Sequence, residues 1–384
     1  MATRVNQIEP FRVMELMARA DQLEQAGRHI IHLEVGESEF PTPPGVIAQG
    51  HHALDHQTIT YTDAKGIAPL RRKISQYYRD EFKLKIDSER ILITSGASGG
   101  LMLLAAALVE PGERWLLADP GYPCYRHFIQ LMGGKAELIA CEANANFQLS
   151  AAQIASHWQH DTRGVIIGSP ANPTGSVIEQ QALAEICQQV KNRDGIVIVD
   201  EIYQGLTYDG VDFSVLQLDP NVLVINSFSK FFTMTGWRLG WLVLPLNLVE
   251  TIEKLAQNFY ISPSSLSQHA AMAAFTPENL QLLHRRRDAY RQRRDFLVDA
   301  LREIGFGIPY QPMGAFYIYA DISEFSVDSY QFCLDLLEQA GVAITPGNDF
   351  GHYRANEMVR FSYTRNLAQL QSAVEKLKCF LAQR

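Results

Sequence analysis

The sequence is short of cysteine and has no long apolar run. Its 384 residues include five widely spaced cysteines, and none of them forms a C-x-x-C pair. We therefore expect neither a metal site nor a disulfide framework, and we expect a reducing compartment, the cytoplasm. No stretch reaches the about 18 apolar residues of a membrane span. The N-terminus lacks the apolar run of a secretory signal.

An excess of positive charge is also missing. The formal net charge is −8, with 34 lysines and arginines against 42 aspartates and glutamates. This balance argues against a nucleic-acid partner. The basic stretch 285–294 contains Asp288 and is followed by Asp295, so we interpret it as a solvent-facing helix. No dinucleotide-binding G-x-G-x-x-G fingerprint is present, which argues against a dehydrogenase.

Short apolar runs alternate with helical stretches over the middle of the chain. Seven of these runs have the character of strands: 91–94, 115–118, 136–140, 165–168, 196–200, 222–227 and 239–244. Strands separated by helical segments imply crossover connections. The pattern predicts an α/β fold whose large domain has a mostly parallel seven-stranded sheet flanked by helices.

The two ends of the chain have a different character. Residues 11–26 have apolar positions at helical spacing, and a long basic helix after residue 280 precedes further short strands and a helix. We expect an N-terminal segment (1–48) that contributes to a small α+β domain. The large domain would cover 49–282 and the small C-terminal domain 283–384.

Lys230 is the most informative residue. It follows an apolar run that predicts a buried parallel strand, and lysine is rarely found there without a partner or a chemical role. A desolvated lysine, or one beside another cation, has a lowered pKa and can form a Schiff base. Ser227, Ser229 and Arg238 lie in the same motif and suit a phosphate. The combination indicates pyridoxal phosphate, whereas a plain surface lysine is the alternative.

Polar groups also follow two neighbouring strands. Asp200 ends a predicted strand, where α/β sheets bind ligands, and a carboxylate there would keep a ring nitrogen protonated. We interpret the segment from Asp200 to Lys230 as one strand–helix–strand unit, which places both groups at one edge of the sheet. The Asn172 amide and the Tyr203 phenol could bind a phenolate oxygen. A helix cap at Asp200 and a structural turn at Asn172 are the alternatives.

Three other features suit a phosphate, a ring and a carboxylate. The small residues 95–100 join a strand to a helix that we expect to begin near Leu101, where free N–H groups favour an anion. Tyr122 offers a flat face for stacking, unless it simply covers the core. Arg360 interrupts an apolar strand, so it needs a carboxylate, either from a substrate or from an acidic residue of the chain.

Taken in order, these residues resemble the class I/II aminotransferases, which are pyridoxal-phosphate-dependent enzymes of fold type I. The resemblance runs almost from end to end. It is carried by the Gly36 loop, Tyr61–Gly66, Ser95–Gly100, Asn172–Gly175, Asp200–Tyr203, Ser227–Gly240 and Arg360.

The resemblance implies how the cofactor, pyridoxal 5′-phosphate, is held. Lys230 would carry it as an aldimine and would be catalytic together with Asp200 and Tyr203. Asp200 would pair with the ring nitrogen, Tyr203 and Asn172 would bind the phenolic oxygen, and Tyr122 would stack on the ring. The implied phosphate contacts are Gly96, Ala97, Ser98, Ser227, Ser229 and Arg238.

The resemblance also implies the substrates and the assembly. Arg360, with Asn172 and the backbone of Gly36, would bind the substrate carboxylate. Tyr61 would reach the phosphate of a neighbouring subunit, which implies a homodimer. The implied reaction moves an amino group from an L-amino acid to a 2-oxo acid, with pyridoxamine phosphate as the intermediate.

Other functions on the same fold stay open at this point. A β-lyase or a cyclopropane-forming synthase is the nearest alternative, and a transcription regulator built on this domain is a more distant one. Two positions depart from the family pattern. Ser38 interrupts the usual Gly-Glu-Pro-Asp-Phe loop, and Ser98 stands where some aspartate-preferring relatives carry a lysine, which disfavours a dicarboxylate substrate.

Overall fold

The computed structural model describes residues 5–6, 8–210 and 212–383. The strands are β1 (Ile31–His32), β2 (Ile91–Thr94), β3 (Arg114–Asp119), β4 (Lys135–Ala140), β5 (Thr162–Gly168), β6 (Ile196–Asp200), β7 (Leu223–Ser227), β8 (Gly240–Val243), β9 (Tyr317–Asp321), β10 (Val342–Ala343), β11 (Thr345–Pro346) and β12 (Met358–Ser362). The helices are α1 (Arg12–Gln25), α2 (Pro44–His56), α3 (Ala68–Phe82), α4 (Gly96–Leu108), α5 (Pro123–Leu131), α6 (Ala151–His157), α7 (Gln180–Lys191), α8 (Leu246–Tyr260), α9 (Ser265–Ala271), α10 (Pro277–Ile304), α11 (Ser329–Ala340) and α12 (Leu367–Leu381). None of these helices is both long and apolar enough to cross a membrane.

A seven-stranded sheet in the order β2-β8-β7-β6-β5-β3-β4 forms the centre of the molecule. β8 runs antiparallel to β2 and β7, and the other neighbouring strands are parallel. The predicted α/β class and the mostly parallel sheet are confirmed. Both faces are packed, since Val197 and Val199 of β6 belong to one core cluster and Ile198 to the other. Such burial explains why the strands are continuous apolar runs.

The carboxyl ends of β5, β6 and β7 meet at one edge of this sheet. Gly168 lies opposite Asp200, and Asp200 lies opposite Ile225. The end of β6 and the loops that leave β5 and β7 therefore place Asp200, Asn172 and Lys230 on the same side of the sheet.

The connection between β6 and β7 differs from the prediction. The strands are parallel as expected, but the segment between them holds only a short 3-10 turn at Val215–Gln217 and no α-helix among its described residues. The segment instead extends toward the C-terminal part of the chain, where Thr207 forms a bridge with Gly314. The prediction of a strand–helix–strand unit was wrong, because this segment is held by tertiary contacts that sequence periodicity does not reveal.

The N-terminal segment packs against elements from the C-terminal third of the chain. β1 pairs in parallel with β10, and β9 pairs with β12, which also pairs with β11. α1 contacts α11, β10 and β11. These contacts are those of a small α+β unit, while the boundaries after residues 48 and 282 stay a prediction.

Three arginines of α10 are buried, contrary to the predicted solvent-facing stretch. Arg286, Arg293 and Arg294 keep 8%, 6% and 3% of their surface. Arg286 donates to the Pro41 carbonyl, and both Arg286 and Arg293 lie over the ring of Phe40, at 5.2 and 4.9 Å from its centroid. The prediction failed because Arg286 and Arg293 hold the loop after Gly36, while Arg294 donates to the Pro312 carbonyl and to Asp209, rather than facing water.

Candidate active site

A cavity of about 370 Å³ opens at the carboxyl edge of the central sheet. Its walls come from the strand ends, from α1, from the starts of α4 and α5, and from the segment between β11 and β12. Nine of the predicted site residues line it: Gly36, Ala97, Ser98, Tyr122, Asn172, Asp200, Tyr203, Lys230 and Arg360. Residues predicted from segments far apart in the sequence are thus brought together in one place.

Lys230 lies on the loop after β7. Its Nζ donates a hydrogen bond to the Gly36 carbonyl at 2.6 Å, and it lies 5.7 and 5.6 Å from the ring centroids of Tyr203 and Phe316. Among the described residues, no carboxylate lies within ion-pair distance of this amine. The amine is therefore held by a carbonyl that it can leave, rather than by a permanent salt bridge.

Asp200 is a buried carboxylate with 2% of its surface exposed. Burial raises the pKa of Asp200 to about 6, although hydrogen bonds from Tyr125 and the Ile202 N–H, and the charge of Lys230, oppose this shift. The Tyr125 hydroxyl donates at 2.7 Å and the Ile202 N–H at 2.9 Å. A protonated ring nitrogen would supply the cation that this carboxylate lacks.

Arg360 is the cationic group on the opposite side of the cavity. It donates to the Asn172 Oδ1 at 2.8 Å and to Thr345 Oγ1 at 3.1 Å, and it also donates to the Glu34 carbonyl. Its Nε is buried without a partner, and no carboxylate of the described chain lies within ion-pair distance. The alternative of an internal acidic partner is therefore wrong for the described residues. The positive charge of this guanidinium therefore has no anionic partner among the described residues, and a carboxylate ligand could supply one.

Aromatic residues fix the arginine and the neighbouring phenol. The Arg360 guanidinium lies 4.3 Å from the ring centroid of Tyr317 and 4.8 Å from that of Phe350. The hydroxyls of Tyr317 and Tyr203 are 2.9 Å apart. Burial raises the pKa of Tyr203 well above its ordinary value, so this phenol stays protonated and able to donate.

The predicted phosphate loop is part of a helix. α4 begins at Gly96, five residues before the expected start near Leu101, because the small residues 96–100 form its first turn. Ser95 gives this turn no side-chain cap, so its N–H groups stay available to an anion. Gly96 has φ +73°, and a Cβ there would lie 2.7 Å from Nη2 of Arg238. The glycine thus keeps space open beside a guanidinium.

The remaining predicted phosphate contacts lie at the end of β7 and on the β7–β8 connection. Ser227 Oγ donates to Ser229 Oγ at 3.0 Å, and Arg238 Nη1 donates to the Thr235 carbonyl at 3.1 Å. At Gly240, β8 lies so close to α4 that a Cβ added to this glycine would be 2.9 Å from the Ala97 backbone nitrogen. These contacts bring the hydroxyl loop and the helix start together beside the cavity, although Gly96, Ser227, Ser229 and Arg238 are not part of its lining.

The two predicted tyrosines Tyr122 and Tyr61 differ in their relation to the cavity. Tyr122 lines it at the start of α5, and its ring centroid lies 5.4 Å from that of Tyr125. Tyr61 has 77% of its surface exposed and is absent from the cavity lining. Within one subunit, Tyr61 is therefore not brought to the site.

Several lining residues were not predicted from the sequence. Tyr125, Tyr317 and Phe350 contact predicted residues, and Met14 and Met17 of α1 form part of the wall. The only signal for Tyr125 was its position three residues after Tyr122. The methionines lie in a helical apolar pattern, which by itself does not distinguish a core face from a cavity wall.

The groups of pyridoxal phosphate match what the cavity and the adjoining start of α4 offer. The buried Asp200 lacks a cation, the start of α4 and Arg238 leave space for an anion, and the Lys230 amine has a neutral partner. Tyr122 offers a ring face on the same lining. The residues present therefore fit this cofactor.

Comparisons with known proteins give the same result over nearly the whole chain. The family model "Aminotransferase class I and II" matches residues 28–377. The valine–pyruvate aminotransferase of Mycobacterium tuberculosis is 37% identical over 97% of each chain. The crystal structure of an aminotransferase from that organism superimposes with a TM-score of 0.96 at 36% identity, over 100% of this chain and 99% of that one. The Thermotoga maritima aspartate aminotransferase structure gives 0.93 at 30% identity, with full coverage of both chains.

These relatives are named as aminotransferases, and nothing in the comparisons favours a lyase or a synthase. The chain belongs to the class I and II aminotransferases, which use pyridoxal 5′-phosphate to move an amino group from an amino acid to a 2-oxo acid.

Proposed function

We propose that Lys230 both carries the cofactor and moves the substrate proton. When bound, pyridoxal phosphate supplies an aldehyde for covalent attachment and an electron sink for the charge left on the donor Cα. Lys230 Nζ would take the proton from the donor Cα as a general base and return it as a general acid. The observation that carries this proposal is the cavity shared by Lys230, Asp200 and Arg360.

The other cofactor contacts follow from the positions of the side chains. We assign Asp200 to the ring nitrogen, since a nearby cation would favour its ionised form. Tyr203 and Asn172 would donate to the phenolic oxygen, and Tyr122 would pack against the ring. The assigned phosphate contacts are Gly96, Ala97, Ser98, Ser227, Ser229 and Arg238.

We assign Arg360 to the substrate carboxylate. Its position between two aromatic rings limits its movement, and two parallel N–H groups of a guanidinium match the two oxygens of a carboxylate. Asn172 would keep the guanidinium in place through its bond to Arg360. The backbone at Gly36 accepts a hydrogen bond from Lys230 and would also contact the substrate.

The rest of the lining supports a donor with an uncharged, apolar side chain. It consists mainly of apolar residues: Phe11, Val13, Met14, Met17, Val35, Leu101, Ile202 and Phe350. Among the described residues of the lining, Lys230 and Arg360 are the cations, and both already have roles. A second carboxylate on the donor would thus meet no cation from the same subunit. The valine–pyruvate relative agrees with this choice, although other relatives are named for aspartate.

We further propose a homodimer in which Tyr61 reaches the neighbouring site. Ile59, Tyr61, Phe259 and Ile261, the apolar patch, are each at least 44% exposed. A hydrogen bond from the Thr62 N–H to Ser262 Oγ holds the two segments of the patch together. Exposed apolar surface of this kind is typical of a protein interface.

A cytoplasmic location agrees with the free state of all five cysteines.

Replacing Lys230 by alanine tests the central proposal. We expect Lys230→Ala to lose the visible absorbance of the bound cofactor and to lower kcat at least about 1,000-fold, because both the attachment and the proton transfer use this amine. Lys191→Ala removes an exposed lysine on α7 and serves as the matched control. Wild-type turnover by the Lys230 variant would exclude the proposal, provided that its circular dichroism spectrum is unchanged.

A further inference from the structure

Helix α1 is capped by a residue that lies far away in the sequence. The position before the helix, Phe11, provides no side-chain cap. Instead, the two carboxylate oxygens of Asp349 accept the N–H groups of Arg12 and Val13, at 2.7 and 2.9 Å. Only 4% of the Asp349 surface is exposed. A carboxylate at this end of a helix both satisfies free N–H groups and interacts favourably with the helix dipole.

The capped helix forms one wall of the active-site cavity. Val13, Met14 and Met17 line the cavity, as does Asp349 itself. Val13 and Met17 are four residues apart, so they lie on one face of the helix. A small rotation or shift of the first turn of α1 would therefore move this wall relative to the bound substrate.

The loop that carries Asp349 is fixed independently of α1. The Phe350 carbonyl accepts the Gly121 N–H at 2.8 Å, and the Asp119 carboxylate accepts the N–H groups of His352 and Tyr353. Phe350 also packs on the Arg360 guanidinium. Asp349 thus connects α1 to a loop that is already tied to Arg360 and to the central sheet.

We propose that Asp349 is a positioning residue that sets the distance between the α1 wall and Arg360, and thereby the preference for long apolar donors. This inference rests on the proposed function, which assigns Arg360 to the substrate carboxylate and an apolar side chain to the donor. Because Arg360 and the α1 residues line the same cavity, a donor whose carboxylate is held at Arg360 would extend its side chain toward α1. A long side chain gains contact with the wall, whereas the methyl group of alanine gains little.

The test compares two donors in Asp349→Ala and Asp349→Asn. We expect Asp349→Ala to lower kcat/KM for leucine at least about tenfold, mostly through KM, and to change kcat/KM for alanine less than about threefold. Asp349→Asn keeps one acceptor oxygen, so its kcat/KM for leucine should lie between the values of the wild type and of Asp349→Ala. Asp328→Ala is the matched control, because Asp328 caps α11 through the Gln331 N–H at 3.0 Å, and neither residue is part of the cavity lining. An equal loss with both donors, or no loss, would overturn the inference.

Hydrogen exchange separates this inference from the proposed function. Asp349→Ala should speed amide exchange in the first turn of α1 at least about tenfold, while the amides of α11 keep their wild-type rates. Unchanged exchange in α1 would overturn the inference whatever the donors show. A wild-type enzyme that does not prefer leucine to alanine would instead contradict the proposed donor class, and the exchange result would still decide the role of Asp349.

Discussion

Asp200 shows how the fold changes the pKa of a single side chain. A carboxylate with 2% exposure is costly to ionise unless a cation is near. The Tyr125 hydroxyl and the Ile202 N–H reduce this cost, but the pKa of Asp200 still lies at about 6. Since a protonated ring nitrogen would favour the ionised form, cofactor binding and the charge of this residue are coupled.

Arg360 leads to a prediction about substrate affinity. Arg360→Lys keeps a positive charge but loses the planar pair of N–H donors. We expect KM to rise for both the amino donor and the 2-oxo acid, with kcat/KM about 100-fold lower, while the cofactor absorbance stays unchanged. Steady-state kinetics with both substrates would measure this effect.

Arg302→Lys is the control for that variant, because Arg302 donates to the carbonyls of Ile308 and Tyr310 and does not line the cavity. A loss confined to only one of the two substrates would contradict the assignment, since both carry the same carboxylate.

The sequence revealed some of these residues and not others, for a physical reason. Asp200 and Arg360 were predictable because a charged group in an apolar strand is costly and demands a partner. Tyr125, Tyr317 and Met17 carry no such cost, so nothing marked them before the chain was folded. The buried Arg286 was misread because its partners, the Pro41 carbonyl and Thr233 Oγ1, lie on other segments.

At the scale of elements, the length and the spacing of the apolar runs predicted the strands well. The seven central strands were placed within about three residues because continuous apolar runs at helix-separated intervals are specific for parallel sheets. The start of α4 and the missing helix between β6 and β7 were not predictable. The first turn of α4 is rich in glycine, which has no strong preference for helix or loop, so its backbone conformation could not be predicted. Between β6 and β7, tertiary contacts hold the described segment in place without an α-helix.

Strand β1 leads to a prediction about pH. A hydrogen bond to the buried Glu34, with a weaker contribution from Glu24, raises the pKa of His32 to about 9. A raised pKa in the folded state stabilises the fold below the ordinary pKa of about 6.5, and this contribution is lost as pH rises through about 9.

We expect His32→Gln to destabilise the protein by about 1–2 kcal/mol at pH 6, a value reduced for solvent screening at this half-buried ring. The difference should disappear near pH 10, where the wild-type ring is neutral. Thermal unfolding of both proteins at pH 6, 7.5 and 10 would measure it. An equal loss at all three values would mean that packing, not charge, is responsible.

At the scale of the whole molecule, the proposed dimer predicts sharing of sites between subunits. Tyr61→Phe removes one hydroxyl, which should weaken cofactor binding about tenfold while the dimer survives. When Tyr61→Phe chains are mixed with Lys230→Ala chains, each heterodimer should regain one complete site with wild-type cofactor affinity.

Subunit exchange followed by cofactor titration would measure that recovery, and light scattering would give the mass. Without recovery in the mixture, Tyr61 would act within its own subunit or not at all. A monomeric wild-type protein would contradict the dimer itself.

The hydrogen bond between Lys230 and the Gly36 carbonyl has a consequence for the role that we propose for this lysine. The amine donates to a carbonyl of the Gly36 loop. Arg286 and Arg293 of α10 bind the other end of this loop, at the Pro41 carbonyl and the Glu39 carboxylate. A lysine that becomes bonded to an aldehyde has fewer protons to offer, so the carbonyl must find another donor. We expect the amino group of an arriving amino acid to take this place, which would connect donor binding to the Gly36 loop.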